Sequence, residues 1–205
     1  MPSTATDALA RLKAGNDRFV ARLSAADSPP PKPPRLVLNA KPHAIILTCA
    51  DARVPPEIIF DEIIGNLFVI RVAGNVAAPT QIGSVEFAAA AFGVRLVVVM
   101  GHTGCAAINA TLAHIAAGTE EPSPSIRAII DLIRPAIVPI TSNAENADHQ
   151  TVADRAVAAN VNAAAARLRT CLTLKPFIEN QHLTIVGARY DIATGRVAFD
   201  DQSTT

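Results

Sequence analysis

Cys49, Asp51 and Arg53 stand at every second position of the stretch CADARVPPE, residues 49–57, directly after the apolar run HAIILT. A second apolar run, RLVVVMG, ends in His102, and Cys105 follows three positions later in GHTGC. If the two run ends meet, they offer two thiolates and one imidazole, a soft and borderline donor set that suits zinc. Three protein ligands leave a fourth position open, which is the pattern of a catalytic zinc and not of a structural one. Water in that position is acidified to a pKa of about 7 and becomes a nucleophile near neutral pH. Asp51, two residues from a ligand, is placed to accept a hydrogen bond from that water. Arg53 can hold the carboxylate ionised and fixed through a charge-assisted pair.

Such a site needs two strands whose carboxyl ends lie side by side. HAIILT (43–48), LFVIRVAG (67–74) and RLVVVMGH (95–102) are short runs rich in β-branched residues, as expected of strands buried on both faces. Helical stretches alternate with them: VPPEIIFDEII follows the first and TQIGSVEFAAAAFG precedes the third. The alternation predicts an α/β fold, a mainly parallel β-sheet flanked by α-helices. In such open sheets the ligand crevice lies beyond the carboxyl ends of the strands.

The N-terminal stretch 7–23 predicts a helix, and SPPPKPPR (28–35) stops it, because stacked prolines remove donors and enforce extended backbone. Residues 1–35 thus form an N-terminal helical arm and 36–205 an α/β core, together a single domain. After GHTGC a helix is expected to about residue 117, then the loop GTEEPSPS and a helix SIRAIIDLIRPAIV that Pro135 should end or kink. The loop TSNAENADHQ leads to an Ala-rich helix over roughly 151–170. LTIVGARYDIATGRVAFD closes the chain as a hairpin around the turn ATG.

Eighteen basic residues balance eighteen acidic ones, so no net field draws the chain to nucleic acid, anionic lipid or a polyanionic substrate. The start of the chain lacks the continuous apolar core of a signal peptide, and the most apolar region, FAAAAFGVRLVVVMG, is interrupted by Arg95 and two glycines. Three cysteines do not make a disulfide framework. These features lead us to expect a cytoplasmic protein with a small or neutral ligand and no membrane or nucleic-acid partner.

CADARVPPE followed by GHTGC resembles the paired signature of the β-class carbonic anhydrases. The similarity extends through LKAGNDRFV, LFVIRVAGNV, SVEFAAAAFGV and IVGARYDIATGRV, and so covers most of the chain. The resemblance implies one zinc ion per subunit held by Cys49, His102 and Cys105, with Asp51 and Arg53 as a catalytic dyad. It also implies a homodimer or homotetramer whose N-terminal helices embrace the partner. The implied reaction is attack of zinc-bound hydroxide on CO2, giving bicarbonate and a proton.

The family places an oxyanion donor just after the second cysteine, where the usual glycine is here Ala106; its backbone N–H survives, but a Cβ restricts the backbone. In some relatives the Asp leaves the Arg and ligates zinc at lower pH, helped by bicarbonate held near a Trp and an Arg. Here the Trp position is Ile46, although Arg71 matches the Arg, so Asp51 is expected on Arg53 near neutral pH.

Taken singly, each of these residues has a plainer reading: a buried packing thiol for Cys49 or Cys105, a core histidine for His102, a structural ion pair for Asp51 and Arg53. The combined pattern outweighs them. Cys171 is read as packing. Gly101 and Gly104 lack the third glycine of a dinucleotide fingerprint and are read as close-approach positions beside the metal. His43, His114, His149 and His182 lie apart from both motifs, and a proton-shuttle role for any of them needs geometry. Rival functions are hydrolysis of CS2 or COS on the same site, a Cys105–His102 nucleophile pair, and a non-catalytic zinc site closed by Asp51. A zinc deaminase is excluded by the absence of its signatures.

Overall fold

The structure is a computed structural model that describes residues 3–25, 39–117, 123–142 and 148–200. The proline-rich stretch 28–35 lies outside the described residues. Helix α1 (Ala5–Ser24) begins at Thr4, whose hydroxyl accepts from the Asp7 N–H, with the Asp7 carboxylate in the positive first turn. β1 (Ala44–Thr48), β2 (Leu67–Arg71), β3 (Leu96–His102) and β4 (Thr184–Tyr190) run parallel, and β5 (Val197–Phe199) is antiparallel to β4. They make a five-stranded sheet in the order β2-β1-β3-β4-β5. The expected α/β architecture and the terminal hairpin are both present.

Every residue of β1 and β3 is buried, as continuous apolar strands covered on both faces must be. One apolar layer joins Ile45, Leu47, Val97 and Val99 to Val161, Ala165 and Leu168 of α6 (His149–Arg169). The opposite layer joins Ile46, Val98 and Met100 to Leu12 of α1 and to Phe60. The alternation of odd and even strand residues between the two layers is the period of 2 of a pleated strand. α3 (Pro79–Phe92) starts at Pro79, whose missing N–H costs nothing there, and Gly93 at φ 64° ends it.

Three local expectations need correction. VPPEIIFDEII is not a long helix: α2 (Pro56–Ile59) is a single turn, followed by Asp61 at φ 48°, and Arg18 and Arg22 of α1 clamp the Asp61 carboxylate at 2.5 Å each. α4 (Ala106–Ala117) is the helix expected after GHTGC, but α5 (Pro124–Ser142) does not end at Pro135: it continues through Pro135 and Pro139. Both prolines sit on the exposed face, while Ile130, Ile133 and Ile137 bury the other face. Water can serve the carbonyls freed on the outer side, and the buried stripe holds the helix together. α7 (Lys175–Gln181), which the sequence pattern does not announce, buries none of its residues. No helix among the described residues is long and apolar enough to cross a membrane.

Candidate metal centre

β1 and β3 are neighbours in register, Thr48 opposite Met100, so their carboxyl ends open side by side. The Thr48 hydroxyl donates to the Met100 carbonyl at 2.9 Å and ties the two ends together. Cys49 is the first residue beyond β1, and His102 is the last of β3. The chain then turns at Gly104, whose φ of 66° admits glycine without strain, and delivers Cys105 to the start of α4. Among the described residues nothing lies within 4 Å of where a Cβ on Gly104 would stand, so its φ is what requires glycine. Gly101 is the close-approach position: a Cβ there would lie 2.7 Å from Val161 of α6.

Cys49, His102 and Cys105 are all buried, and their donor atoms lie within 4.8 Å of one another. The two sulfurs are 3.9 Å apart. Zinc–sulfur bonds of about 2.3 Å in a tetrahedral site separate two sulfurs by about 3.8 Å, so the pair is already spaced as two corners of such a site. His102 Nδ1 lies 3.0 Å from the Thr103 carbonyl, which can only accept, so Nδ1 carries the hydrogen and Nε2 keeps its lone pair. Nε2 is buried without a hydrogen-bond partner among the described residues, an expensive state that a metal ion would relieve. On donor chemistry, spacing and this orphaned nitrogen, the residues fit zinc.

Backbone dipoles are aimed at both sulfurs. The N–H groups of Asp51 and Gly74 face Cys49, and those of Ala107 and Ile108 in the first turn of α4 face Cys105. Cys105 therefore occupies the helix start as a capping serine would, where negative charge is favoured. The hydrogen bond between the two thiols dominates their titration: it pushes Cys49 down, against burial, and pushes Cys105 up.

Asp51 points back along its own loop. Its Oδ2 accepts from Arg53 Nη2 at 2.6 Å, and its Oδ1 accepts from Arg53 Nε and from the Arg53 backbone N–H, each at 2.9 Å. The guanidinium holds the carboxyl well below the usual carboxylate range, against the effect of burial. Oδ2 stands 4.0 Å from His102 Nε2, beside the cluster and not within it. Ala106 is the first, exposed residue of α4, a position whose N–H has no acceptor within the helix.

The remaining residues singled out in the sequence are scattered. His43 is buried against Glu62 at 3.1 Å, His114 is half-buried in the last turn of α4, and His149 and His182 are exposed at the start of α6 and the end of α7. Cys171 lies just past α6, packed at the edge of the core.

Sequence reasoning missed two supports, Thr103 and Asn160, and the backbone role of a third, Arg71. Arg71, at the end of β2, donates from Nε to the Cys49 carbonyl at 3.1 Å and from Nη2 to the Asp51 carbonyl. Thr103 holds the GHTGC loop to β4: its N–H donates to the Tyr190 carbonyl, and its hydroxyl accepts from the Ile192 N–H, each at 3.0 Å. Asn160 of α6 donates to the Gly74 carbonyl at 2.8 Å.

Residues 44–197 match the family model described as carbonic anhydrase. The chain belongs to the β-class carbonic anhydrase family. It is 35% identical over 199 residues to carbonic anhydrase 2 of Mycobacterium tuberculosis, covering 93% of this chain and 90% of that one. It is 36% identical over 188 residues to a carbonic anhydrase of Mycolicibacterium smegmatis, covering 91% and 88% of the two chains. Among solved structures, a tetrameric β-carbonic anhydrase of the filamentous ascomycete Sordaria macrospora superposes with a TM-score of 0.71 at 22% identity, over 78% of this chain and 81% of that one. The fold and the enzyme class expected from CADARVPPE and GHTGC therefore hold.

Proposed function

We propose that this enzyme interconverts CO2 and bicarbonate at a zinc ion held by Cys49, His102 and Cys105, one ion per subunit. The observation that carries the reading is the buried cluster of two sulfurs 3.9 Å apart beside an imidazole Nε2 that has no hydrogen-bond partner among the described residues. Zinc held there supplies an open Lewis-acidic position that acidifies water to a pKa of about 7, so that hydroxide is available near neutral pH.

The chain's own residues do the rest. Asp51 and Arg53 form the catalytic dyad. The carboxylate, fixed from two sides by Arg53, accepts a hydrogen bond from the attacking oxygen and so orients it toward the carbon of CO2. The Ala106 N–H is the donor assigned to the oxygen that gains negative charge, and the α4 dipole reinforces it. Val72, Val76 and Ala107, packed with the two cysteines, give a small linear apolar molecule an apolar wall. Both carboxylate oxygens of Asp51 lie on Arg53, which favours an open site over one closed by Asp51. Thiols this close stay available to a metal only while reduced, which supports a cytoplasmic setting.

Assembly of two or four copies belongs to the same reading. The Sordaria macrospora enzymes are tetrameric. Here Phe68, Phe87 and Phe92 form an aromatic group beside the edge strand β2, with Phe87 59% and Phe92 40% exposed, a surface that a second copy would cover.

Stopped-flow CO2 hydration by the zinc-loaded enzyme, from about pH 6.5 to about 9, tests the reading. A rate that climbs with pH is expected. No hydration at any pH with zinc bound would overturn it, and sulfide release from CS2 in a parallel assay would then identify the rival chemistry.

A further inference from the structure

We infer that Asn160, on α6 and far from the metal-binding motifs in sequence, is a positioning residue of the metal centre, which it serves by fixing the Ala73–Asn75 turn against the Cys49 sulfur. The inference rests on the zinc-site reading above.

The turn is gripped at every point. At its start the Val72 N–H donates to the Thr48 carbonyl at 3.1 Å, immediately before Cys49, and Arg71 donates to the carbonyls of Cys49 and Asp51. In its middle, Gly74 has φ 69°, and a Cβ there would lie 2.8 Å from Ile133 of α5 and 3.3 Å from Ala107 of α4. The turn is thus wedged between two helices. From below, the Asn160 amide, only 2% exposed, donates to the Gly74 carbonyl at 2.8 Å. The N–H of Gly74 faces the Cys49 sulfur. Gly74 thus takes the Asn160 bond at its carbonyl and turns the N–H of the preceding peptide unit toward the Cys49 sulfur.

The consequence is physical. An N–H aimed at a thiolate stabilises its charge and fixes its lone pairs, and the partners that orient metal ligands set affinity as strongly as geometry does. The Gly74 carbonyl and N–H belong to successive peptide units hinged at the Gly74 Cα, so loss of the Asn160 bond relaxes the second unit and, through φ and ψ of Gly74, lets the N–H of the first drift off the sulfur. Glycine at φ 69° has the most freedom to let that happen. Neither a helix-packing residue nor a residue of the reaction itself would need an amide here, since the rest of this face of α6 is Val157, Val161 and Ala164.

The test compares Asn160→Asp and Asn160→Ser with Leu168→Ala in full-length protein. Leu168 is fully buried on the same helix and absent from the turn, so its variant reports loss of packing alone. Zinc affinity is read by competition with a chromophoric chelator, and ligand geometry by the thiolate-to-cobalt charge-transfer band of the Co(II)-substituted protein. Both Asn160 variants are expected to weaken zinc binding by about tenfold and to shift the band. Leu168→Ala is expected to lower the melting temperature and leave both readouts in place.

The serine variant buries no new charge and covers the case in which the aspartate variant does not fold. Unchanged affinity and band in the Asn160 variants would overturn the inference, as would an equal loss in Leu168→Ala. A wild-type chain that takes up neither zinc nor cobalt would overturn the metal-centre reading itself, and this inference with it.

Discussion

Arg71 reaches from the end of β2 across the mouth of the sheet and donates from Nε to the carbonyl oxygen of Cys49 at 3.1 Å. Its Nη2 donates to the carbonyl of Asp51, so one guanidinium fixes the backbone on both sides of Ala50. The fork of donors suits this task, and the single ammonium of lysine does not. Arg71→Lys is expected to lower kcat for CO2 hydration by about tenfold with the fold intact, because two charge-assisted hydrogen bonds of roughly 1.5 kcal/mol or more are replaced by at most one. Stopped-flow rates beside far-UV circular dichroism check it; an unchanged kcat would remove Arg71 from the site.

On the proposed reading, Asp51 and Arg53 separate metal binding from turnover. The carboxylate lies outside the donor cluster, 4.0 Å from His102 Nε2, and both its oxygens are engaged by Arg53. Asp51→Ala is therefore expected to keep its zinc and to lose about 100-fold or more in kcat, the usual scale for a residue that handles a proton or orients its acceptor. Arg53→Ala should fall in the same direction by a smaller factor, because the carboxylate remains but swings freely. Zinc content by mass spectrometry alongside the rate decides it: loss of metal in Asp51→Ala would make Asp51 a ligand.

Much of this site was legible because its parts sit at strand ends. HAIILT and RLVVVMG announce buried parallel strands by composition, and Cys49 and His102 are the residues at which each run stops. Gly101 and Gly104 looked alike in sequence yet serve different needs, since only three-dimensional packing shows Val161 above one and open space beside the other. The supports were illegible for a related reason. Asn160 bonds to Gly74 across 86 residues, and an asparagine inside an Ala-rich helix has no local pattern that marks it. Pro135 pointed to a helix end because local propensity was weighed without the stripe of Ile130, Ile133 and Ile137 that overrides it. α7 buries no residue and so carries no periodic apolar signal.

The Glu62 cluster makes stability depend on acid. Glu62 is nearly buried and accepts from Arg11 twice at 2.6 Å, from Asn66 at 2.8 Å, and pairs with His43 at 3.1 Å. Burial alone would raise its pKa, but His43, Arg11 and Asn66 together bring it down to about 2. A depressed folded-state pKa means that the stabilisation is fully present above the unfolded value, near 4.5, and is lost as pH falls toward about 2. With allowance for the half-exposed Arg11, the contribution at neutral pH is about 2 kcal/mol. Urea unfolding of the wild type and Glu62→Gln should differ by that amount at neutral pH, and the gap should narrow below about pH 4.5 and close toward about pH 2. A gap independent of pH would show that packing, and not the charge, holds α1 to this corner.

Gly15 sets how closely α1 lies on the core. A Cβ at this position would stand 1.9 Å from the Phe60 carbonyl oxygen and 2.8 Å from the Phe60 carbonyl carbon, backbone atoms with no rotamer to escape into. The next residue, Asn16, uses that closeness: its amide donates to the Ile59 and Gly195 carbonyls at 3.2 and 2.8 Å, and its oxygen accepts from the Val197 N–H at 2.9 Å. Gly15→Ala must lift the helix and break these bonds, even though alanine is the better helix former by about 1 kcal/mol. Overpacking and the loss of buried hydrogen bonds are expected to win, with a net destabilisation of about 2–4 kcal/mol, measured as a fall in the urea midpoint at unchanged slope. Asn16→Ala should cost about 1–3 kcal/mol by stranding the same carbonyls without moving the helix. If Gly15→Ala were neutral or stabilising, the close docking of α1 on Phe60 would be wrong.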